Sequence, residues 1–187
     1  MSAIRIPLAA GRESATRLKD IEEESRFDAE VLPHVRSGYN LARWLTRNDA
    51  DAEDVVQESA LRAWRFFGGF RGDNSRAWFL TIVRRTAATL LSRRRPAGNE
   101  EPFDEELHPP GDVPDPERLA AGAASAERVR RAVEALPDAL REVVILREQE
   151  GLSYKEIAAV AEIPVGTVMS RLSRARERLA RDLSEER

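Results

Sequence analysis

Thr167, Arg171, Arg174 and Arg178 recur at intervals of four, three and four along one segment. On a helix that spacing gathers the four side chains on one side. Arginine can grip a guanine edge through two parallel hydrogen bonds or hold a phosphate. The segment follows another short helical pattern across a tight turn. That is a helix-turn-helix layout, which lays its second helix in a DNA major groove. A plain helical hairpin with a solvated basic face would carry the same pattern. A second group, Asp54-Val-Val-Gln57-Glu58, sits in an acidic stretch just before a basic one. An acidic helix face repels DNA and suits a basic protein surface, although simple solvation fits it as well. The third group is Trp64, Phe66, Phe67, Phe70, Arg71, Trp78, Arg84 and Arg85. Aromatics among arginines suit single-stranded nucleic acid, because bases stack and phosphates pair. Helical spacing places most of these aromatics, Phe67 and Trp78 above all, in a core. The stretch Phe70 to Asn74 is the exception and reads as an exposed loop.

Enzymatic chemistry is poorly supplied. The 187 residues include no cysteine, so there is no thiol nucleophile and no disulfide framework. The two histidines, His34 and His108, are far apart. Asp51, Glu53, Asp54 and Glu58 could hold magnesium, but no nucleophile or base accompanies them. The expectation is therefore a protein that is not an enzyme and needs no metal or cofactor. No apolar run approaches the length of a membrane span. The first ten residues are too weakly apolar for a signal peptide. A cytoplasmic protein is expected.

The net charge of −3 conceals alternating blocks. Asn48 to Ala60 holds five acids and no base, and Leu61 to Pro96 holds nine arginines against one acid. Ala97 to Ala126 holds eight acids against one arginine, and Pro164 to Arg181 holds five arginines against one acid. Two basic blocks separated by acidic ones point to a nucleic-acid partner that the total conceals.

The elements that position these groups are all helical. Residues 1–21 read as a loose tail. Apolar residues at Val31, Leu32, Val35, Tyr39, Ala42 and Leu45 predict a helix from Asp28. Asp51 is expected to cap the next helix, which buries Val55, Val56, Ala60, Ala63 and Phe67 and stops at Gly68-Gly69. A third helix is expected from Ser75 to Arg94, with Trp78, Phe79, Ile82, Val83, Ala87, Leu90 and Leu91 buried. Residues 97–126 carry five prolines and read as an extended acidic linker. Periodicity returns with Val129, Val133 and Leu136. Pro137 suits the first turn of a further helix. Ser153 to Glu156 is a capping box, and Pro164 opens a last helix to about Leu183. The fold class is all-α: two small helical domains, 22–96 and 127–187, on a flexible tether.

Asp51-Ala-Glu-Asp54-Val-Val-Gln57-Glu58, Phe70-Arg71-Gly72-Asp73 and Trp78 resemble region 2 of bacterial sigma factors. Leu136-Pro137-Asp138, Leu146-Arg147-Glu148, Gly151 to Ala158 and Pro164-Val-Gly-Thr167-Val resemble region 4. The layout without a large middle domain resembles the extracytoplasmic-function group. The resemblance implies a promoter-recognition subunit of core RNA polymerase, contacting its β′ coiled coil and β flap, with an anti-sigma factor as a further partner. It assigns Asp51, Asp54, Gln57 and Glu58 to polymerase docking. It assigns Phe70, Arg71, Asp73, Asn74, Arg76, Arg84 and Arg85 to the −10 element, read as a single strand. It assigns Ser153, Tyr154, Thr167, Ser170, Arg171, Arg174, Arg176 and Arg178 to the double-stranded −35 element. The chain departs from common family patterns at Arg85, Thr89 and Met169. The other reading of the residues is a helix-turn-helix regulator whose N-terminal bundle binds a ligand or dimerises. The acidic helix followed by a basic aromatic loop favours the sigma reading.

Overall fold

The computed structural model describes residues 21–94 and 120–185, and no strand occurs among them. The tail read over 1–21 lies outside them except for Ile21. Most of the linker reading, 97–119, lies outside them too.

The N-terminal bundle comprises α1 (21–30), α2 (Val35–Thr46), α3 (Asp49–Phe67) and α4 (Ser75–Arg94). The single helix expected from Asp28 is broken by a 3-10 turn at Leu32–His34. Pro33 is the cause: it has no N–H to donate, and its ring disfavours helix in the residue before it. The turn puts Leu32, expected inside, into solvent, while Val31 and Leu41 are fully buried. The cap of α3 is Asn48, whose side chain accepts the Asp51 N–H at 3.0 Å. Asp51 is thus not the cap but a residue of the first turn, where its charge suits the helix N-terminus. Behind it, Ala52, Val55, Val56, Ala63 and Phe67 face the core.

Helix α4 has the predicted limits but a different stripe. Leu80 and Thr86 are buried, and Trp78, Ile82 and Leu90 are only partly so. The reason is that α4 packs on α2 and α3 on one side and on the C-terminal bundle on another. A helix enclosed on several sides has no single apolar face to read. Gly38 lets α2 approach α4, since a Cβ there would lie 2.7 Å from Phe79 Cε1.

The C-terminal bundle comprises α5 (Ala120–Glu134), α6 (Asp138–Val144), α7 (Tyr154–Ala161) and α8 (Val165–Glu185). α5 begins inside the stretch read as linker. Val133 and Leu136 are buried as expected, but Val129 is exposed. Pro137 caps α6 rather than starting it. Arg141 is buried against the end of α5, donating to the carbonyls of Val133 (3.2 Å), Glu134 (2.7 Å) and Leu136. It therefore satisfies acceptors that a helix end leaves open. A π-helical segment, Ile145–Gln149, follows α6, and the Glu150 N–H donates to the Ile145 carbonyl at 3.0 Å. Gly151 then turns the chain at φ +64°, a conformation that glycine adopts without strain.

The capping box is present: Ser153 accepts the Glu156 N–H at 3.3 Å, and Glu156 accepts the Ser153 N–H at 2.7 Å. The Ser153 contacts hold the Glu156 carboxyl below its ordinary value. A lowered folded value means that the stabilisation is complete above the ordinary carboxyl range and is lost as pH falls towards the folded value. Ser153→Ala is expected to destabilise the chain by about 1 kcal/mol at neutral pH, read by urea unfolding. The difference between variant and parent should shrink in acid.

Candidate nucleic-acid interface

Three arginines assigned above to −10 reading lie along α4. Each meets a carboxylate of the C-terminal bundle. Arg76 donates to Glu150, and to Ser37 at 3.4 Å. Arg84 pairs with Glu142 at 2.5 Å and with Glu162 at 3.5 Å. Arg85 pairs with Glu162. The three acids come from three places: Glu142 from α6, Glu150 from the end of the π segment, and Glu162 from the helix-turn-helix turn. Glu150 is only 2% exposed, so it depends on Arg76 as its counter-charge. Burial pushes the Glu142 carboxyl up despite Arg84, whereas Arg85 holds the exposed Glu162 carboxyl down. Trp44 to Gln149 (3.1 Å) and Arg47 to Asp138 (3.0 Å) extend the contact. An apolar cleft of about 370 Å³ lies between the bundles, lined by Leu41, Trp44, Leu45, Ile145, Glu142 and Arg171.

Glu142 and Glu150 escaped the sequence reading. Glu142 was visible as a charge inside the apolar run from Leu140 to Leu146. Glu150 gave no comparable signal.

The loop before α4 is only partly the exposed surface expected. Phe70 is 8% exposed, 4.7 Å from Trp78 and stacked on Phe67. It belongs to the core and cannot present its ring to a base in this arrangement. Arg71 and Asp73 are exposed. Arg71 donates to the Gly68 carbonyl at 2.8 Å, which fixes the turn. Asn74 caps α4 by accepting the Ala77 N–H at 2.8 Å, and its amide donates to Glu156 across the bundles.

On α3, Asp54, Gln57 and Glu58 are exposed on the side opposite the buried stripe. Glu58 pairs with Arg62 at 2.7 Å, one turn on. Asp51 does not share this surface, being buried. Leu61 and Trp64, both exposed, continue the same side towards the C-terminus. Leu61 lies off the apolar stripe of α3 and had no role in the sequence reading.

The second helix of the helix-turn-helix is α8. Glu162 makes the turn in the left-handed region at φ 56°, and Val168, Leu172 and Ala175 are buried beneath α8. Ser170 and Arg174 face solvent as expected. Thr167, Arg171 and Arg178 lie on the same side of α8 as Arg174 but are half-buried. The spacing of four, three and four kept them together but placed them on a flank, where Arg171 lines the cleft. Arg176 is exposed and pairs with Glu148 at 3.0 Å. Ser153 is the cap of α7, and Tyr154 lies partly buried beneath the Arg147 guanidinium at 5.2 Å. Among the described residues no helix is long and apolar enough to cross a membrane, and no group of three potential metal ligands occurs.

Residues 31–96 match the Sigma-70 region 2 family, and residues 126–179 match Sigma-70, region 4. The chain is 39% identical over 153 residues to the ECF RNA polymerase sigma-E factor of Salmonella typhimurium, covering 76% of this chain and 80% of that one. It is 36% identical over 169 residues to the RNA polymerase sigma-H factor of Pseudomonas aeruginosa, covering 86% and 88%. Among solved structures, it resembles the sigma factor RpoE in complex with the anti-sigma factor NepR from Bartonella quintana. There the TM-score is 0.65 at 27% identity, over 87% of this chain and 99% of that one. It also resembles CnrH in complex with the cytosolic domain of CnrY, with a TM-score of 0.61 at 26% identity over 88% and 91%. Both helical bundles therefore match in chain order, and the chain belongs to the sigma-70 family of RNA polymerase sigma factors, in its extracytoplasmic-function group.

Proposed function

We propose that this chain gives core RNA polymerase its promoter specificity, and that its described arrangement is a closed one that must open to do so. One observation carries the second part: each α4 arginine that would meet −10 DNA is held by a carboxylate of the other bundle. Carboxylates on arginines occupy the positions that backbone phosphates would take. The resemblance over both bundles to a sigma factor in complex with an anti-sigma factor supports this reading. An anti-sigma factor that stabilised the closed arrangement would hold the chain inactive.

In the open state, Arg71, Asp73 and Asn74 with the α4 arginines meet the −10 element as a single strand. The exposed side of α8 meets the −35 duplex. Asp54, Gln57 and Glu58 dock on the β′ coiled coil of the polymerase, with Leu61 and Trp64 adding apolar area, and the C-terminal bundle meets the β flap. The chain performs no bond-making step. It acts in the cytoplasm, with the polymerase and the chromosome.

The test is run-off transcription with core polymerase on a genomic fragment library. Specific start sites are expected only when this chain is added. Asp54→Lys with Glu58→Lys should weaken core binding at least tenfold at low salt, with unchanged helicity, because two charge reversals oppose the same basic partner. Unchanged core affinity would refute the docking assignment, and absence of specific starts would refute the function.

A further inference from the structure

We propose that Met169 is a specificity-determining residue of α8, and that it recognises the C5-methyl group of a thymine in the −35 element. This rests on the promoter reading above and deepens it. Met169 is 55% exposed, although it follows fully buried Val168 directly. Val165, four residues earlier and also exposed, extends the same side of the helix. Gly166 between them has open space where a Cβ would be.

From Ile163 to Ser170 no residue carries a charge. In a helix-turn-helix this end of the second helix reaches the base edges. The arginines come later, and Arg171 is turned into the cleft beside Glu142. The base-facing end of α8 is therefore apolar and hydroxylic, with Arg174 as its first exposed cation.

A thioether donates no hydrogen bond and accepts only weakly. It cannot replace an arginine on guanine or on a phosphate. In the major groove the apolar group offered by a base edge is the thymine methyl. An unbranched methionine adapts its shape to such a contact. An exposed methionine here gains by covering a methyl and loses by facing an amine or carbonyl edge, which makes it selective.

The experiment uses holoenzyme reconstituted from core polymerase and the full chain. The −35 sequence it prefers is first selected from promoter duplexes randomised in that element. Each thymine is then replaced by deoxyuridine, which removes only the methyl. At one thymine the replacement should lower wild-type affinity roughly 3- to 5-fold, the worth of one methyl group taken from water. In Met169→Ala the same replacement should cost nothing, and Met169→Leu should keep most of the discrimination.

Equal deoxyuridine costs in wild type and Met169→Ala would overturn the proposal. So would a Met169→Ala loss spread evenly over all duplexes, which would place Met169 against polymerase or the DNA backbone. If the holoenzyme selects a −35 sequence without thymine, this proposal alone fails. If it selects none, the promoter reading fails and takes the proposal with it.

Discussion

A chain carrying Glu150→Gln and Glu162→Gln is expected to open. Its two bundles should separate while each stays folded. Glu150 is the larger contributor. Its carboxylate is buried, and its removal leaves the Arg76 guanidinium, whose Nε already lacks a partner, without a directly paired carboxylate. Breaking a fully buried pair costs about 3–5 kcal/mol. Arg76 keeps a third of its side-chain exposure, so solvent lowers the expected cost to about 2–3 kcal/mol. That shifts the balance between closed and open forms roughly 30- to 150-fold. The Glu162 pair with Arg85 is exposed and screened by salt, so its share should fade at high ionic strength.

Small-angle scattering should show a larger radius for the variant, with unchanged far-ultraviolet dichroism. The free variant should also bind forked −10 DNA more tightly than the free parent, by at most the reciprocal of the parent's open fraction. A variant that stays compact would show that the remaining contacts, Arg84 to Glu142 and Arg47 to Asp138 among them, suffice to hold the bundles together.

Phe67→Ala is expected to unfold the N-terminal bundle near physiological temperature. Phe67 is fully buried at the end of α3. Phe27 meets it edge-on at 5.3 Å, Phe70 stacks on it at 6.1 Å, and Trp78 tilts against it at 6.3 Å. The Arg26 guanidinium lies over its ring at 5.1 Å. Truncating a buried phenylalanine costs about 3–5 kcal/mol. A bundle of this size holds only about 4–11 kcal/mol in total. The midpoint of thermal unfolding should fall by at least about 12 °C. Phe67→Leu should fall less, because it refills most of the volume. Phe70 and Trp78 lose a seat in the variant, so −10 recognition should fail with the fold. A shift under about 4 °C would mean that Phe67 is not central to this core.

The C-terminal half was the more legible in sequence. The capping box at Ser153 and Glu156 and the last helix opening after Pro164 are local patterns, and each occurs where the sequence places it. The limits of α4 were legible for the same reason, with Asn74 closing its start. What escaped depends on distant partners. Phe70 reads as a loop aromatic until Phe67 and Trp78 come round to enclose it. Arg171 has a spacing indistinguishable from that of a base-reading arginine, yet it lines the cleft near Glu142. Glu150 becomes a counter-charge for Arg76 across 74 residues of chain, which no periodicity encodes.

The π-helical segment at Ile145–Gln149 sets the phase of everything after it. An α-helix turns by about 100° with each residue, and a π-bulge accommodates one extra residue without interrupting the helix. Deleting a single residue there would restore the ordinary spacing and swing α7 and α8 by about 100° about the axis of α6. Glu142 lies before the bulge, and Glu150 and Glu162 lie after it. Their carboxylates would then no longer reach α4 together. One codon, with no change of charge, would uncouple the two halves of the chain.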